Sequence, residues 1–152
     1  MEPRQIEILD TTLRDGAQGE GVSFSPEDKR NIARKLGKLG ISFVEAGNPG
    51  SNPKDMEFFR QTERFESEFP GTRLVAFGST RKKNLAVEED ENCAALLAAG
   101  TEWVSIFGKS WDLHVRDVLR TTLVENLARI RGTVAFFKDR GRNVILDRKS
   151  VV

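Results

Sequence analysis

The chain has 152 residues, 38% of them hydrophobic and 31% charged, the balance of a globular domain able to bury a core. Its 24 basic and 23 acidic residues leave a net charge of +1 with no basic stripe, so neither nucleic acid nor an anionic membrane is an expected partner. One cysteine excludes an internal disulfide, no apolar run approaches membrane length, and the charged start Met1-Glu2-Pro3-Arg4 leads into no signal-type stretch, so a cytoplasmic setting is expected.

Short apolar runs bounded by turn residues alternate with segments of helical period about every 30 to 40 residues, the rhythm of βα units. Ile6-Glu7-Ile8-Leu9 predicts a first strand that ends at Asp10. Ser25 followed by Pro26, Glu27 and Asp28 supplies an N-cap, a proline at the first helical position and an acidic first turn. Ile32, Leu36 and Leu39 form that helix's apolar stripe, Gly40 ends it, and Ile41-Ser42-Phe43-Val44 predicts a second strand. Asn52-Pro53-Lys54-Asp55 opens a second helix whose Phe58, Phe59, Thr62 and Phe65 face the sheet, and Pro70-Gly71 closes the unit. Leu74-Val75-Ala76-Phe77 is the third strand. Residues 93–99 form the third helix, with Cys93 a buried small hydrophobe rather than a nucleophile, and Trp103-Val104-Ser105-Ile106-Phe107 is the fourth strand. Leu123, Leu127, Ile130, Val134 and Phe137, spaced by four and three, mark a long fourth helix that stops at Gly141 and yields Val144-Ile145-Leu146 as strand five.

Five strands and about four helices in strict alternation are α/β, and two architectures accept them: a complete doubly wound sheet, or the first half of an eight-stranded barrel. Asp10 at a strand end and Lys109 after a later strand raise a phosphoacceptor version of the doubly wound fold. It loses support because strand three ends Phe77-Gly78-Ser79 without a carboxylate, and Gly16, Gly19 and Gly21 lack nucleotide-loop spacing.

The chemistry is concentrated after strand one, in Asp10-Thr11-Thr12-Leu13-Arg14-Asp15-Gly16-Ala17-Gln18. One reading is a polar turn in which Asp10 and the threonines satisfy backbone groups. The other is a ligand site, a carboxylate holding a hard divalent cation while Arg14 binds an anionic or developing enolate oxygen. Arg81-Lys82-Lys83 reads as a solvated loop, with a coenzyme contact as the alternative.

That same segment resembles the signature of the pyruvate-carboxyltransferase-like TIM-barrel family, which includes isopropylmalate, homocitrate and citramalate synthases and hydroxymethylglutaryl-CoA lyase. Val44-Glu45-Ala46-Gly47-Asn48-Pro49-Gly50-Ser51-Asn52-Pro53-Lys54-Asp55 and Phe107-Gly108-Lys109-Ser110-Trp111-Asp112-Leu113-His114-Val115 resemble its citramalate-type branch. The resemblance covers residues 1–147 and implies a partial (β/α)8 barrel, its first five strands and four helices, in place of the doubly wound sheet. It also implies an acyltransferase: acetyl-CoA as co-substrate condenses in Claisen fashion with a 2-oxo acid, pyruvate giving citramalate, in branched-chain amino-acid synthesis. Isopropylmalate or homocitrate chemistry is the alternative.

Carried over by position, Asp15 becomes a ligand of a divalent metal of the Mg, Mn or Zn class. Arg14 becomes catalytic and substrate-binding, and Gln18 a catalytic residue that positions the substrate. Glu45 lines the pocket or pairs with a neighbouring cation. Lys109 and Ser110 contact substrate, as does His114, whose other reading is a local hydrogen-bonder. The full-length form is implied to be a homodimer. The family completes its metal site with a His-x-His pair on a later strand and takes its catalytic base from the second half of the barrel. Relatives continue past Asp147 with alanine, glutamate and histidine, whereas this chain reads Arg148-Lys149-Ser150-Val151-Val152. The expectation is therefore an incomplete chain, from a frameshift, a premature stop or an imposed boundary, inactive alone, with exposed strand edges that invite association with another chain.

Overall fold

The computed structural model describes residues 6–62 and 65–149. Five strands, β1 (Leu9–Asp10), β2 (Phe43–Gly47), β3 (Arg73–Ser79), β4 (Trp103–Lys109) and β5 (Asn143–Lys149), pair in parallel in their chain order. A doubly wound sheet places at least one strand out of sequence. The sequential order therefore decides for the barrel, and the sheet is a curled half-barrel with β1 and β5 at its edges.

The helices begin where short polar side chains replace the missing intrahelical acceptors. Ahead of α1 (Pro26–Lys38), Ser25 Oγ accepts from the Asp28 N–H at 3.1 Å while Asp28 Oδ2 accepts from the Ser25 N–H at 2.9 Å. Asn52 caps α2 (Pro53–Arg60), followed by a short α3 (Phe65–Glu68). Asp90 caps α4 (Glu91–Ala98), and Thr122 caps α5 (Leu123–Asp139). Strand alternation then sorts the side chains. Val44, Ala46, Leu74, Ala76, Val104 and Ile106 face the helices and share one core with Phe58, Phe59, Leu96, Phe136 and Phe137. The intervening Glu45, Val75, Phe77, Ser105 and Ile145 are left for the concave side.

The end of α1 explains why β2 starts at Phe43 rather than Ile41. Gly40 has φ +74°, its N–H donates to the Gly37 carbonyl, and the Ile41 N–H donates to the Leu36 carbonyl, a Schellman closure. Ile41 thus packs against the core, and Leu39, expected on the apolar stripe, is 76% exposed. Strand one is likewise shorter than expected, with Ile6 and Ile8 exposed.

The largest departure concerns α5. Leu123 and Leu127 are exposed, and the buried face is Asn126, Arg129, Thr133, Phe136 and Phe137, a rotation of about one residue, or 100°, from the apolar stripe. Unpaired strand-end groups set this rotation, because each buried carbonyl or N–H must find a partner. Arg129 donates from Nε and Nη2 to the Arg81 carbonyl at 2.9 and 2.7 Å, Thr133 Oγ1 accepts from the Arg81 N–H, and Asn126 Nδ2 donates to the Lys109 carbonyl. Burial and the neighbouring Arg81 lower the proton affinity of Arg129, against Glu125 and Asp90. The helix latches the ends of β3 and β4.

No helix among the described residues is long and apolar enough to cross a membrane. Cys93 is fully buried in α4, and burial, followed by the adjacent Asp90, pushes its thiol up to about 12 from an ordinary 9.0. Since the folded value is the higher one, the stability gained by a neutral thiol is complete below the unfolded value and is lost as pH rises from there towards about 12. Iodoacetamide at about pH 8 should therefore leave the native protein unlabelled and modify Cys93 only after urea is added. Rapid native labelling in a mass spectrum would contradict this burial.

Candidate active site

A lysine on the apolar face of α1 organises the carboxyl ends of β1 and β2. Lys29 is 3% exposed, and its Nζ donates to the carbonyls of Leu13 and Ala46 at 2.8 Å each and to Asp55 Oδ1 at 2.5 Å. Asp55, on the first turn of α2, accepts the Asn48 N–H through its other oxygen at 2.8 Å. Gly47 has φ +148°, and a Cβ there would stand 2.4 Å from the Asp55 carboxyl, so only glycine fits.

Arg14 follows the clamped Leu13 and is 9% exposed. Its Nε donates to Glu45 Oε2 at 2.5 Å, its Nη1 pairs with Asp15, and its guanidinium carbon lies 3.9 Å over the Phe77 ring. Glu45 is 1% exposed, whereas the Asp15 side chain is half exposed. Two of the alternatives left by the sequence are resolved. Glu45 is an ion-pair partner that also lines a cavity, and Asp10 takes the structural part, accepting from the Thr12 N–H at 3.0 Å and from Thr12 Oγ1 at 3.1 Å.

Arg14 stands between two cavities. The inner one, about 380 Å³, lies on the concave face and is lined by Arg14, Asp15, Glu45, Ser105, Ile145, Asp147 and Arg148, among others. The outer one, about 360 Å³, opens between the loop after β1 and the start of α2, with Arg14, Gln18, Asn48, Ser51, Asn52 and Lys54 on its walls. The structure thus brings Arg14, Asp15 and Glu45 together, and Gln18 joins Arg14 across the outer cavity. Lys109, Ser110 and His114 line neither. Lys109 closes β4, Ser110 is exposed, and His114 opens a π-helical turn, its ring 4.9 Å from Trp111 and its Nδ1 buried with no hydrogen-bond partner among the described residues. Arg81 is spent on Glu125 and on the carbonyls of Lys82 and Leu85, which leaves only Lys82 and Lys83 of that cluster exposed.

Sequence reasoning missed three residues here. Lys29 drew no attention although it shares a helical stripe with Ile32 and Leu36, and Asp55 was read only as part of the opening of the second helix and of the family motif. Ser105 is 1% exposed on the inner cavity, and its hydroxyl has no partner among the described residues. Its one signal in the sequence is that it is the polar residue of an otherwise apolar run, Trp103 to Phe107.

Among the described residues no three His, Cys, Asp or Glu side chains converge to hold a metal ion. Asp15 offers one half-exposed carboxylate, and Glu45 is engaged by Arg14. The donors present do not make a metal centre by themselves.

A parallel half-barrel with a guanidinium–carboxylate cluster at the carboxyl ends of its first strands has the architecture of a barrel enzyme site. The chain belongs to the HMGL-like family, whose profile matches residues 5–150. It is 55% identical over 140 residues to the (R)-citramalate synthase of Synechocystis sp., covering 92% of this chain and 25% of that protein. It is 52% identical over 143 residues to the (R)-citramalate synthase of Aquifex aeolicus, covering 94% and 27%. To the 2-isopropylmalate synthase of Crocosphaera subtropica it is 33% identical over 137 residues, covering 90% and 25%. The chain thus spans about a quarter of the length of these curated relatives. The fold matches the HMG-CoA lyase of Bacillus subtilis with a TM-score of 0.70 at 18% identity, over 95% of this chain and 46% of the lyase. It matches an HMG-CoA lyase of Acinetobacter baumannii, solved in complex with coenzyme A and 3-methylmalate, with 0.66 at 17%, over 92% and 43%.

Lys29→Met leaves the Asp55 carboxylate buried without its cation and orphans two carbonyls, so it should cost about 3–5 kcal/mol in urea unfolding. Adding Asp55→Leu should recover part of that loss. Additive losses would mean that the pair does not act as one clamp.

Proposed function

We propose that this chain is the N-terminal part of a synthase that condenses acetyl-CoA with a 2-oxo acid, with pyruvate as acceptor and citramalate as product. The observation that carries the reading is the Arg14–Glu45–Asp15 cluster between two cavities at the carboxyl end of the sheet. In the reaction the acetyl methyl loses a proton, its carbon bonds to the ketone carbon of the 2-oxo acid, and water then hydrolyses the thioester to release CoA. Negative charge passes from the thioester oxygen to the ketone oxygen, so a guanidinium fixed beforehand between the two reactants stabilises each stage.

Arg14 suits that role. Glu45 and Asp15 hold two of its nitrogens and Phe77 supports its face, while among the described residues no hydrogen bond uses Nη2. The inner cavity is of a size for a small oxo acid, and the outer cavity, with Gln18 and Lys54, faces the coenzyme side. A lyase of the same fold, solved with coenzyme A and a small dicarboxylic acid, supports this pairing of ligands. Asp15 would supply one carboxylate to a divalent metal whose other ligands come from the part of the relatives that this chain does not span. Identity of 55% and 52% to citramalate synthases, against 33% to an isopropylmalate synthase, favours pyruvate over a longer acceptor.

A second reading, a half-barrel that works only when joined by another chain, is favoured by the unpaired edges of β1 and β5 and by Leu146, 42% exposed. The resemblance also supports a homodimer for the full-length form.

The test is release of free CoA from acetyl-CoA and pyruvate with a divalent metal, by this chain and by a version completed with the remaining part of the Synechocystis synthase. The completed version should be active, and Arg14→Lys in it should lose about 100-fold or more in kcat/KM. Silence from both wild-type versions would sink the synthase reading.

A further inference from the structure

Ser105 sits mid-strand in β4, with Val104 and Ile106 turned into the core, so its own side chain points to the concave face, where it lines the inner cavity. It is 1% exposed, yet among the described residues Oγ neither donates nor accepts a hydrogen bond. A buried hydroxyl without a partner costs free energy, and such groups are retained where something other than the protein completes them. Its neighbours indicate what that is. Ser105 pairs in register with Phe77 on β3 and Ile145 on β5. Adjacent strands lie about 4.8 Å apart, and Phe77 carries the Arg14 guanidinium on its ring, which places the unpaired hydroxyl close to the cation of the site. Flanked by two larger side chains, Ser105 leaves space in its own layer.

We propose that Ser105 is a substrate-binding residue, its Oγ donating a hydrogen bond to an oxygen of the small 2-oxo-acid anion held by Arg14 in the inner cavity. This rests on the function proposed above and adds to it a neutral donor on the strand opposite the charged cluster. A hydroxyl kept for a ligand also leaves a signature in the free protein. Ser105→Ala removes an unsatisfied group and should melt no lower than wild type, whereas a hydroxyl with a structural partner would lower the melting temperature when removed.

The experiment uses the whole chain, with pyruvate and 2-oxoisovalerate as separate probes in the presence of magnesium, read by ligand-observed NMR titration and paired with thermal melts. Wild type should bind pyruvate, Ser105→Ala should bind it about tenfold or more weakly without melting lower, and Ser105→Thr, which keeps the hydroxyl, should stay close to wild type. Equal binding by wild type and Ser105→Ala, or a lowered melting temperature in Ser105→Ala, would overturn the assignment while leaving the synthase reading intact. Binding of neither oxo acid by wild type would remove the inner cavity of this chain as an oxo-acid site and overturn the assignment, whereas the synthase reading stands or falls on CoA release by the completed version.

Discussion

Lys29 Nζ lies 2.8 Å from the carbonyls of Leu13 and Ala46 and 2.5 Å from a carboxylate oxygen of Asp55, so one buried ammonium joins the segment after β1, the end of β2 and the start of α2. Taking that charge out of water costs several kcal/mol, and only a full set of partners offsets it. The requirement propagates outwards. Asp55 reaches the lysine because Asn52 and Pro53 start α2 at the right place, and the backbone at Gly47 can pass the Asp55 carboxyl only because it has no Cβ. A cation on the face of α1 that a helix normally keeps apolar therefore serves as the joint between two βα units.

The same joint fixes the Arg14–Glu45 pair. Leu13 is fully buried with its carbonyl clamped, so the direction in which Arg14 leaves the backbone is settled by residues that never touch it. On the other side the clamp holds the carbonyl of Ala46, and strand alternation then turns Glu45 to the concave face, where it meets Arg14 Nε at 2.5 Å. Guanidinium and carboxylate are each one residue from a clamped carbonyl. Pre-organisation of this kind places the cost of orienting a charge in folding rather than in the reaction.

The sequence made much of this legible where local rules decide. Helix starts at Ser25 and Asn52 and helix ends at Gly40 and Gly141 are set by backbone chemistry within a few residues and appear where expected, whereas β1 and β2 keep the rhythm but begin later than their apolar runs. The cluster at Arg14, Asp15 and Glu45 was legible through its density of charge and its resemblance to a known family. What escaped depends on partners distant in sequence. The face that α5 buries is chosen by carbonyls at Arg81 and Lys109, so its apolar period was right at Phe137 but about one residue out at Leu123 and Leu127. Lys29 pairs with Asp55 across 26 positions, and the state of Ser105 depends on the curvature of a sheet that composition does not encode.

The charges around the inner cavity constrain how it can work. Arg14 and Arg148 face it with Asp15, Glu45 and Asp147, two cations against three carboxylates. A small organic anion entering such a space meets carboxylates as well as guanidiniums, and repulsion from the carboxylates is stronger where side chains exclude water. Glu45 is committed to Arg14, so it tempers the guanidinium as well as orienting it, and the most exposed negative charge is that of Asp15. Two kinds of help remain for an anion at this site. One is a further positive charge brought to Asp15, which would convert the cavity's excess carboxylate from an obstacle into a ligand. The other is donors that carry no charge, such as the Ser105 hydroxyl, acting beside Arg14 Nη2, which makes no hydrogen bond among the described residues. Under the proposed function, selectivity between acceptors would fall to the apolar side chains of this cavity, Leu9, Ile145 and Leu146, because length rather than charge distinguishes one 2-oxo acid from the next.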